Sequence, residues 1–285
     1  MSTNLKKRFL CAYLFLLTSA TNAQQVVRYV ADDSEGKIIT VEAVLRKPTT
    51  ENNHKALVIL HHAGGWGQGT TAQYAQFFSE RGFTTLEPRM FNGSRKNELT
   101  YLTDVYAALK FLGQQPEVDK NQISIMGLSF GANIAIFSAT KWANQKHSDG
   151  QLNFKSYAAF YPTCWKHSSL IKRTLPSRFK SPTAPDDLED TWVTRPLQIF
   201  TGTEDDYDER DANACKEFIN AIPDTQQREM TMVVQYQGAT HGWDQQSRSF
   251  YEPGACKGRG CTNNNVSNAE VTLKAKQDLL KFLMD

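Results

Sequence analysis

Gly127-Leu128-Ser129-Phe130-Gly131 sets a serine between two glycines, with the short run Gln122–Met126 just before it and a helical pattern just after. A G-x-S-x-G pentapeptide between strand and helix holds its serine in a sharp, strained turn, so that the hydroxyl stands above a sheet. The flanking glycines relieve crowding where strand and helix approach. A turn serine without a chemical role is the plainer alternative, and the strand before and helix after weigh against it. A serine hydroxyl is a weak nucleophile at neutral pH, so it needs a base, and the base needs a third group to orient it. Chains that use this turn carry the acid next and the histidine last. Of His54, His61, His62, His147, His167 and His241, only the last follows such an acid. It stands in Thr240-His241-Gly242-Trp243, after the run Met230–Tyr236. The acid loop is Gly202-Thr203-Glu204-Asp205-Asp206, after Leu197–Thr201. Asp205 is the favoured acid, and Asp206 and Asp208 are near enough in sequence to compete. Ser129, Asp205 and His241 together would attack an ester-type carbonyl and pass through an acyl-enzyme.

The tetrahedral intermediate of that reaction needs backbone donors aimed at its oxyanion. One expected donor is the amide of Phe130, the residue after the nucleophile. The other comes from the loop His61-His62-Ala63-Gly64-Gly65-Trp66-Gly67, after the run Ala56–Leu60, with Ala63 as the candidate. The tandem histidines invite a metal reading. Adjacent residues of an extended segment point to opposite faces, so the pair chelates one ion poorly, and both read as structural or pocket-lining.

The elements that must carry these loops alternate. Val26–Val30 and Lys37–Leu45, separated by Asp32-Asp33-Ser34-Glu35-Gly36, suggest an opening hairpin. Ala56–Leu60 is a continuous apolar run, as expected of a strand buried on both faces. Further strands are expected at Phe83–Leu86, Gln122–Met126, Tyr157–Tyr161, Leu197–Thr201 and Met230–Tyr236. Helices are expected over Tyr74–Arg81, Leu99–Leu112, Cys215–Ala221 and Val271–Leu283, with another starting at Asn133 and running to Trp142. Alternation of this kind implies an α/β fold, a mostly parallel central sheet with helices on both faces, and reactive loops at the carboxyl ends of the strands. The stretch Pro162 to Arg195 fits no element well. It carries four prolines, a basic cluster and then the acidic run Asp186-Asp187-Leu188-Glu189-Asp190. It is either a solvated surface excursion or a lid over the site.

The chain of 285 residues, 40% hydrophobic and 22% charged, is ordinary for one globular domain. Lys6-Lys7-Arg8, the nine-residue apolar run Phe9–Leu17 and Thr21-Asn22-Ala23 read as a signal peptide over residues 1–23. An uncleaved anchor is the alternative, but a spanning helix needs about 20 apolar residues. Without those 23 residues the chain has 29 basic and 30 acidic residues. Its basicity therefore argues for neither nucleic acid nor an anionic membrane surface, and a periplasmic or secreted location follows from the leader. Cys11 leaves with the leader. The four remaining cysteines suggest two disulfides in an oxidising compartment. Cys256 and Cys261 bracket a short glycine-containing loop, and Cys164 with Cys215 follows by elimination. A zinc site would need a second pair of ligands at suitable spacing, and none is present. No nucleotide-binding glycine loop or phosphate-binding lysine motif occurs, so no cofactor is expected.

With these residues in view, the sequence resembles the dienelactone hydrolase family of α/β hydrolases over residues 54 to 245. The likeness rests on His61-His62-Ala63-Gly64-Gly65, Gly127-Leu128-Ser129-Phe130-Gly131, Tyr161-Pro162-Thr163-Cys164, Gly202-Thr203-Glu204-Asp205-Asp206 and His241-Gly242-Trp243. It implies the α/β-hydrolase fold and a small-molecule ester substrate. The type enzymes have a cysteine nucleophile; Ser129 in its place shifts the expectation to ordinary ester hydrolysis. His62 stands where many relatives have glycine. Family members can hold a substrate carboxylate with arginine, which makes Arg89 a candidate against the plainer reading of an ion-paired surface arginine. His62, Trp66 and Trp243, beside the same loops, complete the candidate substrate wall. A serine peptidase, an acyltransferase or a non-catalytic binding protein on the same fold are the competing functions.

Overall fold

The computed structural model describes residues 24–32, 38–66, 69–91, 97–148, 150–182 and 184–285. The expected leader, residues 1–23, the turn between the first two strands and Gly67 lie outside them. Strands β1 (Gln24–Asp32) and β2 (Ile38–Arg46) pair antiparallel, Gln24 against Arg46 through Asp32 against Ile38, which is the expected opening hairpin. Strands β3 (Ala56–Leu60), β4 (Thr84–Pro88), β5 (Ile123–Leu128), β6 (Tyr157–Phe160), β7 (Leu197–Gly202) and β8 (Thr231–Tyr236) follow. They form one eight-stranded sheet in the order β1-β2-β4-β3-β5-β6-β7-β8, antiparallel from β1 to β4 and parallel beyond.

Apolar residues alternate between the faces of this sheet, as side chains on a strand must. In β3, Ala56, Val58 and Leu60 join one core while Leu57 and Ile59 join the other. The first core is covered by α2 (Leu102–Gly113) and α3 (Phe130–Ser138), and the second by α1 (Thr70–Ser79) and α8 (Ala269–Met284). Helices α4 (Lys141–Ser148), α5 (Cys164–Ile171), α6 (Ala214–Ala221) and α7 (Thr225–Glu229) complete the surround. With helices on both faces and the parallel strands at the centre, the chain has the α/β-hydrolase fold.

Three differences from the sequence reading have identifiable physical causes. Helix α3 starts at Phe130, not Asn133, and ends at Ser138, and the chain re-enters a helix at Lys141. Thr140 makes the break: its hydroxyl donates to the Phe137 carbonyl (2.8 Å) and accepts from the Ala143 amide (3.2 Å), closing one helix and capping the next. The stretch Pro162 to Arg195, which fitted no element, holds α5. A carboxylate from elsewhere caps it, since the Trp165 amide donates to Asp208 Oδ1 at 2.8 Å. Strands β9 (Arg248–Glu252) and β10 (Cys261–Asn265) form a separate hairpin, closed by the Cys256–Cys261 disulfide. Cys-Thr-Asn-Asn-Asn has little intrinsic strand preference, so the covalent closure takes the place of a sequence signal.

Around Ser129, β5, α3 and β3 approach one another closely at two glycines. A Cβ on Gly127 would fall 2.0 Å from the Gly131 carbonyl oxygen, and one on Gly131 would fall 2.7 Å from that of Leu60. Both obstacles are backbone, which cannot swing aside. Gly127→Ala is expected to cost at least about 3 kcal/mol, since the overlap exceeds ordinary overpacking. That corresponds to a fall in Tm on the order of 6–12 °C for a domain of this size. Differential scanning calorimetry checks it; an unchanged Tm would contradict the crowding.

Candidate active site

Ser129 sits between the end of β5 and the first residue of α3 with φ 52° and ψ −110°, a conformation that costs a non-glycine residue strain. The neighbouring structure holds it there. The Ser129 amide donates to the Phe160 carbonyl (2.9 Å), and its carbonyl accepts from the Ala132 (2.8 Å) and Asn133 (3.1 Å) amides. Its hydroxyl lies 2.8 Å from His241 Nε2, and His241 Nδ1 lies 2.9 Å from Asp205 Oδ2. The three side chains come from the carboxyl ends of β5, β7 and β8, where an open α/β sheet gathers its reactive loops.

The acid loop separates the three aspartates. Asp205 faces His241 with one oxygen and accepts from the Tyr207 amide (2.9 Å) with the other. Asp206 turns away: Oδ1 accepts from Arg210 Nε (2.8 Å), and Oδ2 from the Asn264 amide (2.8 Å) and side chain (3.2 Å). It thereby ties the acid loop to β10. Asp208 is buried at the start of α5, where burial and then the charge of Asp205 push its carboxyl well above the usual range. The Cys164–Cys215 disulfide joins the starts of α5 and α6 beside it. Asp208 and these two sulfurs lie within 4.8 Å of one another, but sulfurs joined to each other offer no thiolate to a metal.

The His241 ring is packed on two sides. The Tyr207 ring lies 4.1 Å away, tilted by 31°, and Tyr161 meets it edge-on at 5.0 Å. Tyr161 is itself fixed by Asp244, whose carboxylate accepts from Tyr161 (2.7 Å) and Tyr74 (2.6 Å). Burial raises the Asp244 carboxyl. Sequence reading found neither Tyr161 nor Asp244 in this role, and the only signal was Tyr161 directly before a proline.

Ala63 and Phe130 line the cleft with Ser129. As the first residue of α3, Phe130 has an amide with no carbonyl one turn back to receive it. His62 shapes the loop that carries Ala63. Its Nδ1 accepts from the Gly64 amide (2.9 Å), its Nε2 approaches Thr70 Oγ1 (3.3 Å), and its carbonyl accepts from the Gly65 amide (3.0 Å). Burial, then the neighbouring His61, Arg248 and His241, lower its pKa to about 4. The ring is therefore neutral at pH 7 and free to accept from Gly64. His61 is spent likewise, through Nδ1 on the His62 carbonyl (2.8 Å) and Nε2 accepting from the Met90 amide (3.2 Å). Three candidates for the substrate wall lie elsewhere. Arg89 is paired with Glu42 and lies over the Trp66 ring, 3.9 Å from its centroid. Trp243 is fully buried against Tyr161 and Tyr236.

Because the folded pKa of Asp208 is raised, the native state holds a proton there that the unfolded chain has released above about pH 4. Its contribution to stability is complete below that pH and is lost as pH rises toward the folded pKa, at about 1.4 kcal/mol per pH unit. Asp208→Asn, which keeps the acceptor for Trp165, is expected to gain Tm relative to wild type as pH rises above about 4, the unfolded value. Parallel melting curves would contradict the burial of this charge.

The dienelactone hydrolase family model matches residues 95–284. No curated protein matches the sequence. Solved structures match widely at low identity. Thermogutta terrifontis esterase 2 phosphoramylated by tabun has a TM-score of 0.61 at 16% identity, covering 94% of this chain and 96% of that one. A putative dienelactone hydrolase from Klebsiella pneumoniae has a TM-score of 0.60 at 13% identity, covering 93% and 100%. Est1E from Butyrivibrio proteoclasticus has a TM-score of 0.58 at 15% identity, covering 91% and 98%. The structural likenesses establish the fold, and the family match, over two thirds of the sequence, establishes the lineage: the chain belongs to the dienelactone hydrolase family, as an ester-cleaving α/β hydrolase.

Proposed function

We propose that the protein cleaves carboxylic esters of small molecules through an acyl-enzyme on Ser129. The observation that carries this is the unbroken hydrogen-bonded series from the Ser129 hydroxyl through His241 to Asp205, opening into a cleft. In the first half-reaction His241 Nε2 takes the hydroxyl proton while Ser129 Oγ bonds to the carbonyl carbon. Asp205 holds the imidazole in the right tautomer and stabilises the imidazolium that forms. The amides of Phe130 and Ala63 are assigned to the oxyanion. As the intermediate collapses, the C–O bond to the alcohol breaks and His241 returns the proton to the leaving oxygen. Water, deprotonated by the same histidine, then releases the acid and regenerates Ser129.

Arg89, Trp66 and Trp243 take no part in binding under this reading, and His62 acts by shaping the oxyanion loop. The stretch 162–195 serves as a wall of the cleft, which residues from Thr163 to Leu188 line. Export is also proposed, with cleavage after Ala23 and a periplasmic or extracellular destination. Two disulfides support it, because they persist in oxidising compartments. Among the described residues, no helix is long and apolar enough to cross a membrane.

The test compares residues 24–285 with the Ser129→Ala variant on p-nitrophenyl butyrate. Wild-type turnover is expected, with a loss of kcat of at least about a thousandfold in the variant, the scale set by removal of such a nucleophile. Equal rates in the two proteins would contradict the assignment.

A further inference from the structure

Two unlike cavities meet at Ser129. The larger, about 510 Å³, runs along α3, where Ser129, Asn133 and Phe137 recur every fourth residue on one stripe, about 6 Å apart per step. Opposite them stand apolar side chains from the stretch 162–195, including Trp165, Leu170, Leu175 and Phe179. The smaller cavity, about 190 Å³, is polar, with His62, Gln245, Arg248 and Asn265 around Ser129. His241 lines only the smaller one. A histidine that protonates the leaving oxygen must be within hydrogen-bond reach of it. The alcohol half of the ester therefore belongs in the small polar cavity, and the acyl half in the large apolar one.

That apolar chamber contains an ion pair. Lys166 Nζ lies 2.5 Å from Glu98 Oε1, the two side chains are only 14% and 16% exposed, and both line the cavity. Asn133 Nδ2 reaches the same carboxylate at 3.4 Å, and the ammonium lies 5.9 Å from the Phe137 ring centroid. The pair thus sits one to two helical turns from the nucleophile. An ion pair in apolar surroundings contributes little stability, because desolvation offsets the attraction. It does leave polar atoms facing the substrate: an ammonium has three protons, and a carboxylate accepts at both oxygens.

We infer that the large cavity selects acyl groups with an apolar body and a neutral hydrogen-bonding group, which Lys166 and Glu98 bind together. The inference rests on the acyl-enzyme reading above. Neutrality follows from charge balance. Lys166 and Glu98 compensate each other, and the other charged lining residues, exposed Arg178, Lys180 and Asp186 with partly buried Glu252, are two of each sign, so a carboxylate or ammonium beside the buried pair would bring an uncompensated charge there. A hydroxyl can accept from Lys166 and donate to Glu98 at once. The same charge balance fits Arg89, the candidate for holding a carboxylate, being engaged with Glu42.

The experiment measures kcat/KM of residues 24–285 for methyl hexanoate, methyl ω-hydroxyhexanoate and monomethyl adipate by pH-stat titration. The hydroxy ester is expected to exceed the plain ester by about tenfold, the scale of hydrogen bonds to charged groups, with the adipate below both. In Glu98→Gln/Lys166→Met the hydroxy advantage should disappear. A purely apolar chamber would penalise the hydroxyl instead, so a wild-type ratio at or below one overturns the inference. So does a preference that survives in the double variant. If that variant does not fold, the wild-type ratios decide alone. Turnover of all three esters without preference sinks only this inference. No turnover, with Ser129 inert to a fluorophosphonate, sinks the acyl-enzyme reading and this inference with it.

Discussion

The near-collision of β5 with α3 at Gly127 and Gly131 is the constraint on which the rest depends. Only glycine fits at either position, and their closeness forces Ser129 into a positive-φ turn that lifts its hydroxyl clear of the sheet. From that fixed point the other parts have little freedom. His241 follows β8 and Asp205 follows β7, both on the β6 side of β5 in the parallel half of the sheet, and their loops lean back over Ser129. Strain at the turn is offset by bonds from its own backbone to Phe160, Ala132 and Asn133.

Around the serine, the structure spends much of its bonding on keeping loops still. Three aspartates within four residues have three fates: Asp205 hydrogen-bonds His241, Asp206 fastens β10, and Asp208 caps α5. Both disulfides meet this loop. One sits against Asp208, and the other closes the hairpin whose Cys256 and Lys257 amides donate to the Asp206 (2.9 Å) and Tyr207 (3.0 Å) carbonyls. The acid loop is thus anchored from α5, α6 and the hairpin together, which keeps the His241–Asp205 bond short without either residue being covalently held.

That Ser129, Asp205 and His241 meet at one end of the sheet was legible in the sequence because each follows an expected strand, and the strands show as apolar runs such as Ala56–Leu60 and Leu197–Thr201. The sheet was legible for the same reason. What escaped was non-local. Helix α5 lacks a cap in its own sequence, since Asp208 lies more than forty residues away. The β9–β10 hairpin is polar and held by a disulfide and by Asp206. Arg89 stands on the active edge in sequence, but Glu42 of the antiparallel strand β2 takes it up, a pairing no local pattern encodes. His62 read as structural or pocket-lining, and the bond by which its ring holds the loop, to the Gly64 amide, is set by the loop's own turn and had no pattern in the sequence.

The most direct test of the central claim is covalent. Residues 24–285 would be incubated with a fluorophosphonate and the adduct located by peptide mass mapping, beside a His241→Ala variant. The account predicts one adduct, on Ser129, and almost none in the variant, because the hydroxyl reacts only when His241 takes its proton. An adduct on another residue, or equal labelling of Ser129 in both proteins, would contradict it.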